Sequence, residues 1–255
     1  MNKHTQFLSV SWNVVLAMAI YGSAFAAGPT GLLNDTGITT CWGWNGSQSV
    51  APGEEVDTGS GPRQDCRFGR DAASAAGMPK VGGGSNGFDF SKIANDGTVL
   101  SETAALGTSA KDWACTRDNV TGLVWEVKTT SGLRGQNHTY TWYNSDSSTN
   151  GGEVGTLSRG TCFVTGRCDT EKFVADVNAV GTCGATDWRM PSKRELFSIT
   201  NLGRTDCAID PNYFPNTPAF AVFFSASAWI VSACGYVFTG STGDARLVRL
   251  VRNGQ

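Results

Sequence analysis

Eight cysteines constrain this 255-residue chain more than any other feature, because all of them follow an N-terminal segment typical of export signals. An even number of cysteines in an exported chain favours disulfides. Zinc binding is the competing interpretation, but the sequence has no C-x-x-C pair, and His138 is the only histidine after the signal. We therefore predict disulfides among Cys41, Cys66, Cys115, Cys162, Cys168, Cys183, Cys207 and Cys234.

The pairing of these cysteines is open, since eight cysteines can be connected in many ways and spacing does not choose among them. We predict the pairs Cys41 with Cys66 and Cys207 with Cys234. The other four cysteines would then pair among themselves.

The first 26 residues are predicted to be a secretory signal peptide. Lys3 supplies a basic start, an apolar run extends from Val14 to Tyr21, and Ala24-Phe25-Ala26 has the small-x-small pattern of a cleavage site. This run is too short to span a membrane, and no later segment approaches that length. We expect an exported protein that is periplasmic, surface-held or secreted; a retained N-terminal anchor is the alternative.

The charge balance argues against nucleic acid as a partner. Removing the signal takes away one of the 20 basic residues and none of the 22 acidic ones, so the net charge changes from −2 to −3. Phosphate binding needs a basic surplus instead. A basic surplus occurs only in the C-terminal region, where residues 188 to 255 contain seven basic and four acidic residues.

Composition divides the rest of the chain into a Gly/Ala-rich N-terminal arm, residues 27 to 112, and a domain, residues 113 to 255. The arm includes the glycine-rich run from Gly82 to Gly87, and such a stretch cannot form a packed core alone. We expect the arm to be extended and to pack on the domain, held by Cys41, Cys66, Phe68, Phe88 and Phe90.

The first of two predicted helices lies between Asp169 and Gly181. Asp169 is suited to cap its start and Gly181 to end it. Apolar residues recur between them at helical spacing: Phe173, Val174, Val177 and Val180.

The second predicted helix begins after Pro191. Ser192 and Glu195 have the spacing of a capping box, and Leu196 and Ile199 would then face the core. We expect this helix to end at Gly203.

Short strands are predicted before and after the helices, at residues 121–127, 140–143, 219–224, 228–233, 235–239 and 246–252. In the last of these, alternation places Val248 and Leu250 on one face and Arg249 on the other. Strands, two helices and further strands together predict an α+β fold with an irregular antiparallel sheet.

The sequence contains few residues suited to catalysis, so we do not expect an enzyme. His138 lies in a polar stretch without a G-x-S-x-G element, and no phosphate-binding loop or zinc-protease motif is present. Paired carboxylates of a glycosidase are available in principle, among Asp118, Glu126, Asp187, Glu195 and Asp210. A hydrolase or modifying enzyme therefore remains the third alternative.

We expect no metal or other cofactor. Loop carboxylates and amides could hold calcium in an irregular site, but ordinary turn chemistry accounts for them better: Asp118, Asn119, Asp210, Asn212 and Asn216.

The basic C-terminal region provides the candidate binding residues Lys193, Arg194, Arg204 and Arg246. Guanidinium groups match sulfate and carboxylate oxygens in a bidentate manner, and aromatic faces stack on sugar rings. We therefore expect sulfated or acidic glycans as ligands. Structural salt bridges are the alternative explanation for these side chains.

Several separated motifs resemble the domain family named for the C-terminal domain of the Legionella collagen-like adhesin. They occur in the family's order from about Cys115 to Gln255, and they are the runs Cys115 to Lys128, Tyr140 to Tyr143, Asp187 to Leu196, Ile209 to Asp210, Tyr213 to Thr217 and Val248 to Arg252. The start of the second helix and the terminal strand are also similar, more distantly, to the formylglycine-generating enzymes and the C-type lectin fold.

The resemblance implies a compact α+β, C-type-lectin-like domain of an exported bacterial protein, in which Trp125, Trp142 and Trp188 belong to the core. The namesake adhesin binds sulfated polysaccharides, so the resemblance implies a surface domain that recognises glycans in adhesion. A structural or protein-interaction component of a cell-surface assembly is the alternative. The sequence does not indicate an oligomeric state.

Overall fold

The computed structural model describes residues 34–42, 49–50, 64–72, 78–206 and 209–254. The predicted signal peptide and Cys207 lie outside these ranges. In chain order the described elements are β1 Cys41–Trp42, β2 Ser49–Val50, α1 Asp65–Phe68, β3 Phe90–Ala94, β4 Trp113–Asp118, β5 Leu123–Glu126, β6 Tyr140–Thr141, α2 Thr170–Val180, a 3₁₀ turn Thr182–Gly184, α3 Lys193–Ser198, β7 Val222–Phe224, β8 Trp229–Ser232, β9 Val237–Thr239, β10 Ala245–Arg246 and β11 Val251–Asn253.

A four-stranded antiparallel sheet in the order β11-β5-β4-β3 forms the centre of the molecule. A second antiparallel sheet has the order β7-β8-β9, and two-stranded ribbons pair β1 with β2 and β6 with β10. Helices combined with antiparallel sheets confirm the predicted α+β class.

The central sheet is covered on both faces. Leu123 and Trp125 of β5 pack in a cluster with Leu196 of α3, whereas Val124 packs in another cluster with Phe173 of α2. Neighbouring residues of a strand point to opposite faces, so this division places α3 on one side of the sheet and α2 on the other. The predicted core tryptophans are buried as expected: Trp125, Trp142 and Trp188.

Helix α2 begins and ends as predicted. The Asp169 carboxylate accepts the Lys172 N–H at 2.9 Å, and Gly181 ends the helix with φ near 69°, in the left-handed region that glycine adopts without steric cost. Val180 is exposed although its spacing suggested the buried face.

Helix α3 has the predicted capping box, with the Glu195 N–H donating to Ser192 Oγ and the Ser192 N–H donating to Glu195 Oε2. The predicted end was wrong, because α3 stops at Ser198 rather than near Gly203. The next turn leaves the helix because the Leu202 N–H donates to the Thr36 carbonyl at 2.7 Å. Gly203 is required there for another reason: a Cβ would collide with the Gly37 carbonyl oxygen.

The predicted strand 246–252 is divided in two. Ala245–Arg246 pairs with β6, and Val251–Asn253 pairs with β5. All four residues from Val248 to Val251 are buried, so both faces of this segment meet protein and Arg249 is as buried as its apolar neighbours.

The region predicted as an arm contributes to the central sheet. Residues Phe90–Ala94 form its edge strand β3, which pairs with β4 across the predicted boundary at residue 113. Phe88 and Phe90 are buried in the core, as the sequence suggested, but Phe68 is half exposed.

Three disulfides join described cysteines. Cys41–Cys66 is the predicted pair, and Cys115–Cys183 and Cys162–Cys168 pair members of the remaining four. Cys234 is also disulfide-bonded, but the prediction that it pairs with Cys207 lies outside the described residues.

Candidate functional site

The four candidate glycan-binding cations lie in three segments of the fold. Lys193 and Arg194 occupy the first turn of α3, Arg204 lies in the loop that follows this helix, and Arg246 lies on β10. Among the described residues, no hydrogen bond, ion pair or ring contact joins any two of the four. The structure therefore does not gather them into one cluster by direct contact.

Two of the four candidate cations form salt bridges with neighbouring aspartates. Arg204 forms a bidentate pair with Asp206, with bonds of 2.8 and 2.5 Å, and Arg246 contacts Asp244 at 2.8 Å. The hydrogen bond with Arg204 lowers the pKa of Asp206, so that carboxylate stays charged at neutral pH. The structural salt bridge is therefore the better description of Arg204 and Arg246.

The first turn of α3 presents its cations differently. The Lys193 ammonium lies 4.1 Å from the centre of the Trp229 ring, within the range of a cation–π contact. Arg194 is exposed, and it makes no hydrogen bond or ion pair within the described part of the chain. We call Lys193, Arg194 and Trp229 the α3 surface.

A cleft of about 390 Å³ is lined in part by Arg189 and Met190, which directly precede the start of α3, but by none of the three residues of the α3 surface. The Ala226 N–H, at the cleft wall, donates to the Pro191 carbonyl at 2.7 Å, which ties the cleft to the segment where α3 begins. The cleft is lined by Trp142, Tyr143, Asn144, Thr149, Thr170, Glu171, Val174, Arg189, Met190 and Ala226. Such a volume accommodates a small ligand or one sugar unit of a chain.

Arg189, which lines this cleft, is held in place by Glu195, the acidic residue of the α3 capping box. Its guanidinium donates to both oxygens of Glu195, at 2.9 and 2.7 Å. Burial acts to raise the pKa of Glu195, but the bonds from Arg189 and from the Ser192 N–H outweigh burial and lower it. One carboxylate therefore caps α3 and orients a cation of the cleft, a link that the capping-box motif alone did not reveal.

The candidate calcium ligands of the loops are not brought together. Asp118 accepts hydrogen bonds from the Val120 and Thr121 backbone, Asp210 accepts one from Asn212, and the Asn216 amide donates to the Lys128 carbonyl. The Asn119 amide donates to the Asp89 carboxylate and the Ser91 hydroxyl, so these side chains all serve their own turns or neighbouring segments. Asp210 also lines a separate polar cleft of about 540 Å³ with Arg204, Lys92 and Glu102.

Three other carboxylates, which sequence reasoning missed, lie close together: Asp35, Asp65 and Asp71. Their sequence signals are the Asp35-Thr36-Gly37 turn and the two aspartates six residues apart in the segment that follows Gln64. The predicted Cys41–Cys66 disulfide brings these two segments together, because Asp65 directly precedes Cys66.

The candidate catalytic residues serve structural contacts. His138 Nε2 lies 2.8 Å from the Gly132 carbonyl in a loop. Glu126 is buried against Lys128, and Asp187 accepts a bond from Arg252 at 2.6 Å. These contacts give no support to a paired-carboxylate mechanism.

Taken together, the described structure is a disulfide-bonded α+β domain with a cation–aromatic surface at α3 and a cleft next to the start of this helix. In the described part of the chain, no helix has the length and apolar character needed to cross a membrane. Disulfides fit an exported protein.

Residues 114–252 match the sequence model of the Lcl C-terminal domain, which covers more than half of the chain. The chain therefore belongs to this family, the one that its motifs indicated. No curated protein and no solved structure matches the chain significantly. The more distant likeness to C-type lectins stays a prediction.

Proposed function

We propose that this chain is a non-enzymatic surface domain of an exported bacterial protein that binds sulfated or acidic polysaccharides in adhesion. The family name refers to a collagen-like adhesin, which supports the adhesive role. One observation carries the choice of ligand: the α3 surface presents Lys193 over Trp229 and an exposed Arg194 that has no hydrogen-bond or ion-pair partner among the described residues.

The chemistry of this surface suits an anionic sugar. A guanidinium without a protein partner can donate two parallel hydrogen bonds to a sulfate or carboxylate without first losing a salt bridge. The cleft beside the start of α3 offers apolar contact to the ring of a further sugar unit, but its Arg189 is already paired with Glu195. Arg204 and Arg246 contribute less to binding, because each already pairs with an aspartate.

Retention on a heparin column across a salt series, with and without calcium, tests this proposal. The double variant Lys193→Ala/Arg194→Ala should elute at clearly lower salt than the unaltered protein, since two contacts to anionic groups are lost. Adding Arg204→Ala should change the elution little further.

The control is Lys111→Ala/Arg159→Ala, which removes two positive charges from exposed positions elsewhere; because Lys111 pairs with Asp96 at 2.6 Å, this variant controls for net charge rather than for unpaired cations. Equal shifts in both double variants would mean that net charge alone causes retention. Flow-through of the unaltered protein at low salt would contradict glycan binding.

A protein-interaction role is the second candidate, and β9 is the observation that favours it. This strand pairs only with β8 among the described strands, and it exposes Val237 and Phe238, with the exposed Tyr236 directly before it. An exposed edge with aromatic side chains is suited to pairing with another chain. Co-purification of a defined envelope partner that Phe238→Lys abolishes, together with heparin flow-through, would favour this role.

A further inference from the structure

The polar cleft of about 540 Å³ differs from the cleft beside the start of α3 in the charges that line it. Lys92 and Arg204 contribute positive charge, and Glu102 and Asp210 contribute negative charge. Tyr213, the aromatic residue of its lining, is buried, so the cleft offers little aromatic surface to the ring of a sugar. Charges of both signs in one cleft are suited to a ligand that itself carries both signs.

The glycine-rich run of the N-terminal region forms one wall of the polar cleft, where Gly84 and Ser85 line it. At the preceding Gly83, a Cβ would collide with the Tyr213 hydroxyl and would lie 2.9 Å from Glu102 Oε2. The φ angle of Gly83 is not positive, so space rather than backbone conformation requires a glycine there. Glycine therefore keeps the wall open beside the Tyr213 hydroxyl and the Glu102 carboxylate.

Lys92 is a buried cation of this cleft, on the edge strand β3 and only 9% exposed. Its ammonium donates to the Ala104 carbonyl at 2.8 Å and lies 3.9 Å from the centre of the Trp113 ring. Among the described residues, no carboxylate forms an ion pair with it. An ammonium has three donors, and a buried charge without a counter-charge is costly, so an anionic group in the cleft would stabilise Lys92.

Glu102 supplies the opposite charge at the same cleft. It is exposed, and within the described part of the chain it accepts no hydrogen bond and forms no ion pair. Burial lowers the pKa of Lys92 and the charge of Glu102 acts to raise it, so the two charges are close enough to interact. They make no direct contact, and the space between them can therefore hold a ligand that contacts both.

We propose that the polar cleft binds a small zwitterion of the α-amino-acid type, either a free amino acid or a short peptide. The ligand carboxylate faces Lys92 and supplies its missing counter-charge, and the ligand ammonium faces Glu102. A volume of about 540 Å³ is sufficient for a ligand of this size.

The other two charged residues of the cleft have different roles. Asp210 is buried, and its carboxylate is held by the N–H groups of Asn212 at 3.0 Å and Ser85 at 3.4 Å, so it adds a fixed negative charge on the wall. Arg204 contributes less, because Asp206 already occupies its guanidinium. Lys92, Glu102 and Asp210 are not part of the α3 surface, so this inference does not depend on glycan binding.

Calorimetric titration of L-alanine and of L-alanyl-L-alanine into the oxidised protein tests the proposal. We expect saturable binding of one ligand per chain with a dissociation constant of about 1 mM or below. Tighter binding of L-alanine would identify a free amino acid as the ligand, and tighter binding of the dipeptide would identify a peptide. N-acetyl-L-alanine lacks the ammonium and L-alanine amide lacks the carboxylate, so each should bind at least about tenfold more weakly than L-alanine.

Two variants separate the roles of the two charges. Glu102→Gln should weaken the binding of L-alanine but not that of N-acetyl-L-alanine, which has no ammonium for Glu102 to hold. Lys92→Met should weaken the binding of L-alanine but not that of L-alanine amide, which has no carboxylate. Glu102 is exposed, so its variant keeps the test decisive if Lys92→Met does not fold. Glu153→Gln, at another exposed glutamate, is the control and should bind L-alanine like the unaltered protein.

Three results would overturn the proposal. The first is the absence of saturable binding of both probes at about 10 mM, tenfold above the expected dissociation constant. The second is equal binding of L-alanine and both single-charge analogues, which would mean that the cleft does not recognise the two charges. The third is unchanged binding of L-alanine in Glu102→Gln, which would place the ligand elsewhere.

Discussion

Glu126 is the residue on which the buried charges of the domain depend. It is fully buried, accepts the Lys128 ammonium at 2.8 Å and the Leu250 N–H at 3.0 Å, and its backbone carbonyl accepts the Arg249 guanidinium at 2.7 Å. Its sequence context, a strand of β-branched and aromatic residues, indicated only a strand. The ion-pair partner two residues away could have been expected, but Arg249 lies more than a hundred residues later.

Replacing Glu126 by glutamine should destabilise the fold by about 3 kcal/mol, because it leaves Lys128 and Arg249 buried without a counter-charge. The amide keeps the shape of the side chain and can still accept the Leu250 N–H, so the loss reports mainly the charge. Urea unfolding at pH 7 measures it, with Glu153→Gln at an exposed position as control. A loss no larger than in the control would show that the cluster is not held by Glu126.

Lys128 should make stability depend on pH in the alkaline range. Burial lowers its pKa from 10.5 to about 8, and attraction by Glu126 only partly offsets this. Between these two values the unfolded chain binds a proton that the folded chain has released, so stability rises as pH increases through this window.

The urea midpoint of the unaltered protein should therefore increase between pH 8 and pH 9.5. The midpoint of Lys128→Met should increase less over the same range, because methionine at position 128 does not titrate. Arg249 remains beside Glu126 in this variant and limits the damage to the fold. Parallel pH dependences in the two proteins would contradict the lowered pKa.

At the scale of elements, the helices could be predicted because their signals are local. Asp169, Gly181, Ser192 and Glu195 act within one turn of the residues they cap, so the sequence contains both partners of each contact. The end of α3 could not be predicted in this way, since it is set by the Thr36 carbonyl far away in the chain. The edge strand β3 was missed because it follows a glycine-rich run that is typical of linkers.

Removing the serine of the α3 capping box should destabilise the domain by about 1 kcal/mol. In Ser192→Ala the Glu195 N–H loses its acceptor, while Glu195 keeps its bonds to Arg189. Urea unfolding measures the change, and Ser227→Ala, an exposed serine in the turn between β7 and β8, is the matched control. Equal stability of the two variants would mean that packing of Leu196 alone maintains α3.

At the scale of the whole molecule, the candidate site was only partly predictable. The sequence of the basic C-terminal region predicted four binding residues, among them Lys193 and Arg194. It could not show that Arg204 and Arg246 differ from these two, because only the fold pairs them with aspartates. Trp229 meets Lys193 only because β8 packs against α3. The acidic cluster depends in the same way on a tertiary contact between segments about thirty residues apart.

The disulfides allow the contribution of long-range contacts to the stability of the fold to be measured. Cys115–Cys183 links β4 of the central sheet to the turn after α2 across 68 residues, whereas Cys162–Cys168 closes a loop of only six. In the chain-entropy view, a crosslink stabilises by restricting the unfolded chain, and the longer loop gains more. Replacing both cysteines by alanine should therefore cost about 4 kcal/mol for the first pair and about 2 kcal/mol for the second.

Urea unfolding of the two double variants, with the other disulfides kept oxidised, measures this difference. The larger loss for Cys115→Ala/Cys183→Ala should come with a lower unfolding midpoint of the whole domain, because this bridge joins the sheet to the end of α2 that covers it. Equal losses would mean that local packing around the sulfur atoms, rather than loop closure, determines their contribution. A larger loss for Cys162→Ala/Cys168→Ala would mean that the short loop organises the segment preceding α2, and that the chain-entropy view fails for this fold.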